Sequence, residues 1–298
     1  MKVLAVCQNK GGEGKTTWAR LIAEWASRMK LRVLMLDFDP QCNMSRRYLK
    51  MESDDSEAEG VLPPVHPDFA GGDTGDPDWD GRSSVVDIFT ANGANPYPTA
   101  NEYIEILPGY ARDMQRIQHV RQDEVKEKIH DRTAKFLRLK EVQDSYDLVI
   151  IDTSPTKGPL MLSAVRAATH LLIPSQMEQQ SVEGLHGMIQ LWRRENRTRS
   201  ADDQLALIGI LPNKFREVAL QIGLLETLRG KPSTAPHLIP TIIHQRTVFA
   251  ETDHPEAKPK SVFDLRKNDK AREEATAACT YIFEKMGFGT EAALAGAA

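Results

Sequence analysis

The sequence predicts an α/β fold, a single domain built on a mostly parallel, twisted sheet with helices covering both faces. Three observations predict it. The short apolar run Lys2 to Cys7 is followed by a stretch with an apolar helical face, and then by a second apolar run, Arg32 to Asp37. That is a strand, a crossover helix and a second strand, which places the two strands parallel. A third run, Asp147 to Asp152, is apolar between its two aspartates, as a strand covered on both sides must be.

The remaining elements follow in order. The first helix runs from about Thr16 to Lys30 and carries Trp18, Leu21, Ile22, Trp25 and Met29 on one face. Residues 52–82 break the pattern, being rich in Asp, Gly and Pro, and read as a mobile acidic insertion. Ser84 to Phe89 reads as a capped short helix, and Ile104 to Pro108 as a strand. Residues 112–143 form a charged helical stretch. After the 147–152 strand come a helix from Leu160 to Ala168, a strand from His170 to Pro174, a helix from Ser181 to Glu195 and a strand from Leu205 to Leu211. Helices over 216–229 and 268–286 complete the domain, which spans residues 1–288; residues 289–298 read as a flexible tail. Neither an internal repeat nor a linker divides the chain.

Composition narrows the function classes. Of 298 residues, 41% are apolar and 27% charged, a balance suited to a soluble globular protein with a large core. Cys7, Cys42 and Cys279 are far apart and form no CxxC pair, so a reducing, cytoplasmic setting is expected. No apolar run approaches the roughly 20 residues that span a bilayer. Residues 52–81 hold ten acidic side chains and no Lys or Arg; removing ten negative charges from a net charge of −4 leaves the remainder at +6. A local basic face that binds nucleic acid is therefore compatible with the acidic total.

The chemistry is concentrated between the first strand and the first helix, in Lys10-Gly11-Gly12-Glu13-Gly14-Lys15-Thr16-Thr17. Glycines free the backbone to turn successive N–H groups toward phosphate oxygens, and the helix behind adds its positive end. Lys15 is placed to reach the β- and γ-phosphates of ATP, and the Thr16 hydroxyl to bind Mg²⁺.

Lys10, the second lysine of the loop, is the mark of the deviant Walker A motif, and here the chain resembles the ParA/MinD family of ATPases. The resemblance implies that Lys10 crosses a homodimer interface to the ATP of the partner subunit, acting as an arginine finger does. Asp37-Phe38-Asp39-Pro40-Gln41 is similar to the family's D-x-D-P-Q segment, which implies that Asp39 orients the attacking water and that Asp37 lies near the magnesium. Asp147 to Pro155 resembles its Walker B strand, with Asp152 holding a magnesium-bound water. Asn213, after a buried strand, stands where the family reads adenine, and Pro240 matches a segment that lies against the base. Glu13 departs from the family: its carboxylate should repel phosphate unless it turns outward or pairs across the dimer.

The resemblance further implies a switch, with weak basal hydrolysis of ATP to ADP and phosphate, stimulated by a ParB-like protein. The ATP dimer would bind double-stranded DNA without sequence preference and would partition or position plasmid or chromosomal DNA on the nucleoid. The alternative is positioning of a protein cargo. Residues 193–272 hold fifteen Lys/Arg against ten Asp/Glu, and Arg193, Arg194, Arg197, Arg216, Arg229 and Lys231 are the candidate DNA contacts. With the loop starting at residue 10, no helix-turn-helix fits upstream of it, and no operator binding is expected. The tail lacks cations and apolar mass, so no membrane anchor is expected. A metabolic relative on the same fold would need clustered cysteines or a substrate-binding carboxylate set, and the sequence displays neither.

Overall fold

A computed structural model describes residues 1–54, 60–69, 79–90, 93–120, 123–254 and 256–289, the side chains of 123–128 excepted. Among the described residues the strands, in chain order, are β1 (Lys2–Val6), β2 (Val33–Phe38), β3 (Glu52–Ser53), β4 (Val61–Leu62), β5 (Tyr97–Pro98), β6 (Ile104–Leu107), β7 (Leu148–Thr153), β8 (His170–Ser175) and β9 (Ala206–Pro212). Seven of them form one sheet in the order β5-β6-β2-β7-β1-β8-β9. Every pairing in it is parallel except β5 against β6. The expected mostly parallel sheet is present, and the central strands β2 and β7 are buried along their whole length.

The helices are α1 (Lys15–Arg28), α2 (Asn43–Tyr48), α3 (Asp87–Thr90), α4 (Ala111–Gln118), α5 (Asp123–Leu137), α6 (Lys140–Ser145), α7 (Pro159–Ala167), α8 (Gln179–Thr198), α9 (Ala219–Gly230), α10 (Thr247–Glu251) and α11 (Lys270–Lys285). They make two apolar layers, because successive strand side chains point to opposite faces. On one face Leu4, Val6, Met35 and Ile150 meet Trp18, Ile22 and Trp25 of α1 and Ala275, Cys279 and Phe283 of α11. On the other, Ala5, Leu36, Val149 and Ile151 meet Met114, Met161, Val165, Leu185 and Met188 from α4, α7 and α8. Trp18 is 1% exposed, and truncating so large a buried side chain costs about 3–5 kcal/mol.

The charged helical stretch expected over 112–143 is present as α4, α5 and α6. Three expectations need correction. The short helix near residue 84 starts at Asp87, whose carboxylate accepts bonds from Ser83 Oγ and Ser84 N. The helix expected from 216 starts at Ala219. A mobile insertion was expected over 52–82, yet its described parts are packed. β3 pairs with β4, Arg82 bridges to Glu52 at 2.7 Å, and Tyr97 Oη donates to the Pro64 carbonyl at 2.8 Å. His66, 4% exposed, lies edge-on to Tyr97. Residues 55–59 and 70–78, and the tail from 290 on, lie outside the described residues.

Candidate nucleotide site

The site forms at the C-terminal ends of β1, β2 and β7, where a parallel sheet opens between diverging connections. Gly14 precedes α1 with φ of +90°, a conformation that favours glycine. A β-carbon there would also come within 2.3 Å of Asn213 Nδ2. The loop wraps an open cleft of about 630 Å³ lined by Gly11, Gly12, Gly14, Lys15, Thr16, Thr17 and Asp39, with Pro155 and Lys214 on its wall. Most of the predicted phosphate-site residues are thus brought together.

The two lysines of the loop do different things. Lys15 is 6% exposed and curls back, its Nζ 3.3 Å from the Lys10 carbonyl. Lys10 reaches along the rim, where its Nζ lies 2.7 Å from Glu178 Oε2 and 3.3 Å from Ser181 Oγ.

Glu13 neither turns outward nor lines the cleft. It is fully buried: Oε2 accepts from Gln176 N at 2.6 Å and Oε1 from Ser181 Oγ at 2.8 Å. Burial pushes its carboxyl up, and the bonds from Gln176 and Ser181 oppose that push. The side chain therefore pins the loop to the turn between β8 and α8 and leaves its backbone to face the cleft.

Three aspartates meet beneath the loop. Thr16 Oγ1 donates to Asp152 Oδ2 at 2.6 Å, and Asp152 Oδ1 is buried without a hydrogen-bond partner among the described residues. Burial first, and then the neighbouring Asp37, raise the Asp152 carboxyl well above its usual range. An unpartnered buried carboxylate oxygen next to a threonine hydroxyl fits a cation whose other ligands are phosphate and water. No cluster of three or more His, Cys, Asp or Glu able to hold a metal is present among the described residues.

Asp37 is opposite Asp152 across the β2–β7 pair. Its carboxylate, expected near the magnesium, is buried and engaged by the turn that follows β2. Its Oδ2 accepts from Ser45 N at 2.9 Å and Ser45 Oγ at 2.6 Å, and its Oδ1 from Asp39 N at 3.2 Å. Burial pushes its carboxyl up to about 6, with Asp39 adding to the rise. Asp37 therefore shapes the turn that carries Asp39. Asp39 lines the cleft, with Oδ1 accepting from Gln41 N at 3.0 Å.

Asn213 is close to the loop but does not open onto the cleft. It is 4% exposed; its Nδ2 donates to the Glu13 carbonyl at 2.7 Å and its Oδ1 accepts from Trp18 Nε1 at 3.2 Å. These contacts use one N–H and one oxygen lone pair of the amide. Pro240 lines a separate small cavity with Pro212, Leu225 and Leu238.

The far wall of the cleft holds Gln41, Asn43, Arg46 and Arg47 from the β2–α2 connection and α2, with Ala250, Asp253 and His254. Apart from Gln41, which belongs to the D-x-D-P-Q segment, none of these was singled out from sequence. Arg20, 1% exposed on α1, bonds Glu24 at 2.7 Å and Asp253 at 2.8 Å, which ties the 252–254 segment to the helix behind the loop.

All six candidate DNA contacts are exposed, though in two places. Arg193, Arg194 and Arg197 are in the last two turns of α8. Arg193 acts electrostatically on His237, which packs edge-on against Trp192, and this places the α8 end beside the segment after Lys231. Arg229 closes α9 and pairs with Glu226. Arg216 is separate: together with Lys214 it acts on Glu178 at the rim of the cleft.

A parallel sheet, a glycine-rich loop opening α1 and a strand-end aspartate held by the loop threonine define a nucleotide-binding P-loop protein, and Lys10 marks its ParA/MinD-type branch. A family model described as an AAA domain, AAA_31, matches residues 1–205, and the chain belongs to that family as a ParA/MinD-type ATPase. The chromosome-partitioning ATPase Soj of Thermus thermophilus is 27% identical over 227 residues, covering 71% of this chain and 69% of that protein. The McdA–ATP complex from Cyanothece superposes with a TM-score of 0.71 at 16% identity over 97% of each chain. Cobyrinic acid a,c-diamide synthase from Mycobacterium smegmatis, with an ATP analogue and magnesium bound, gives a TM-score of 0.65 at 20% identity over 96% of this chain and 97% of that one. At these identities the structural likeness carries the fold, which partition ATPases share with a metabolic enzyme. No helix among the described residues is long and apolar enough to cross a membrane.

Proposed function

We propose that the chain is an ATP-driven dimerising switch that binds duplex DNA without sequence preference and partitions or positions DNA on the nucleoid, with a ParB-like activator. The observation that carries this reading is the divergence of the two loop lysines, Lys15 folded within the loop and Lys10 at the rim. A lysine at the rim can serve a neighbour's nucleotide. Arg216 stands at that same rim, and the adjoining start of α9 exposes Val218, Leu220 and Ile222, with Leu220 67% exposed. An apolar patch beside an exposed cation suits a protein contact.

In this reading the loop N–H groups and Lys15 hold the β- and γ-phosphates. Thr16 and Asp152 would hold Mg²⁺ directly or through water; when bound, the ion neutralises charge on the β- and γ-oxygens. Asp39 orients the water that attacks the γ-phosphorus, the bond to the β–γ bridging oxygen breaks, and ADP and phosphate leave. Lys10 of the opposite subunit supplies positive charge to the same transition state. Basal turnover is weak because that lysine and the activator arrive only with the dimer. The exposed arginines of α8 and α9 bind phosphates of DNA, so retention falls steeply with salt. The test is retention of random-sequence duplex at low salt. Binding in ATP and release in ADP is the expected result; equal retention in both nucleotides would overturn the reading.

A further inference from the structure

The contacts of Lys10 suggest a control that the loop motif does not contain. Among the described residues Lys10 Nζ has two acceptors on its own subunit, Glu178 Oε2 at 2.7 Å and Ser181 Oγ at 3.3 Å, and a longer ion pair with Glu13 Oε1 at 3.9 Å. Glu178 and Ser181 flank the first turn of α8, whose positive end disfavours a cation. The hold is therefore supplied by carboxylates, and chiefly by Glu178, because Glu13 is farther away and already accepts bonds from Gln176 and Ser181.

We propose that Glu178 is a latch that holds Lys10 on its own subunit until two nucleotide-loaded subunits meet, and so sets the threshold for pairing. This rests on the reading of Lys10 as a residue that acts across the dimer. The latch is weak by construction. The Glu178 side chain is 40% exposed and that of Lys10 27%, so solvent screens the pair. A partner's triphosphate, with several negative oxygens, can outcompete one exposed carboxylate. When Lys10 leaves, Glu178 still has Arg216 and Lys214 nearby, so its charge is not stranded. Pairing thus exchanges one ion pair for another rather than breaking one outright.

The experiment compares Glu178→Gln, Lys10→Ala and the double variant by sedimentation with a non-hydrolysable ATP analogue, after thermal melting has confirmed that each is folded. Glu178→Gln should tighten pairing roughly two- to fivefold, the range an exposed ion pair supplies. Lys10→Ala should weaken it, and the double variant should match Lys10→Ala, since no lysine remains to be held. Unchanged or weaker pairing for Glu178→Gln, with Lys10→Ala still impaired, would overturn the latch and leave the role of Lys10 intact. A Glu178→Gln effect that persists without Lys10 would overturn it too. If Lys10→Ala pairs normally, the reading of Lys10 fails and the latch fails with it.

Discussion

Thr16 Oγ1 donates to one oxygen of Asp152 at 2.6 Å, while the other oxygen is buried without a hydrogen-bond partner among the described residues. A buried carboxylate so placed suits a cation, and burial first, then the neighbouring Asp37, raises its affinity for protons.

Asp152→Asn should therefore weaken magnesium-dependent ATP affinity by about 10- to 100-fold while leaving magnesium-free nucleotide affinity nearly unchanged. Calorimetry with and without magnesium separates the two. A cation favours the charged carboxylate, so magnesium should also displace protons from the wild-type protein. Titrations in two buffers of different ionisation enthalpy measure that release, and Asp152→Asn should remove most of it.

The unliganded fold should respond to pH through Asp37. Its carboxyl is pushed from 3.8 to about 6, so between those values the folded chain holds a proton that the unfolded chain has shed. The contribution of Asp37 to stability is present below that window and is lost as pH rises through about 6. Urea midpoints of the unliganded wild type should thus fall from pH 5 to pH 7, and more steeply than those of Asp37→Asn; identical slopes would contradict this.

Asp39→Ala should keep ATP binding and lose hydrolysis by about 10²- to 10⁴-fold, the range for a residue that positions or polarises the attacking group. It should also accumulate the nucleotide-bound dimer. Phosphate release and light scattering check the two halves, and a variant that turns over normally removes Asp39 from the mechanism.

Glu13→Ala should destabilise the chain by about 1–3 kcal/mol, because Gln176 N and Ser181 Oγ lose a buried acceptor. The loss should appear in thermal unfolding of the nucleotide-free protein. A gain in nucleotide affinity instead would mean that Glu13 repels phosphate after all.

Arg193→Glu, on the exposed end of α8, should weaken duplex retention and lower its salt slope without altering ATP affinity. Unaltered gel shifts at low salt would move the DNA face elsewhere.

The strands and the loop were legible because their signals are local. Lys2 to Val6, Val33 to Phe38 and Leu148 to Thr153 are apolar but for Lys2, Asp37, Asp152 and Thr153, and Gly14-Lys15-Thr16 sits at their junction. The rest depended on contacts between distant positions. The two-residue strand Tyr97–Pro98 exists only through its antiparallel partner β6. The burial of Glu13 requires Gln176 and Ser181, over 160 residues away. Asp253 and His254 reach the cleft because buried Arg20 holds Asp253, and one arginine in an amphipathic helix announces no partner. The hold of Ser45 on Asp37, eight residues earlier, likewise could not be read from the D-x-D-P-Q segment.

Asn213 fills the space that a side chain on Gly14 would need, and it grips the loop carbonyl just before that glycine. Three residues further along, Arg216 is already at the outer rim. A sub-ångström adjustment of the loop has little slack to absorb it and must be passed to the amide, and from there to the start of α9. News of what the loop holds can thus reach the outside of the molecule over a very short stretch of backbone.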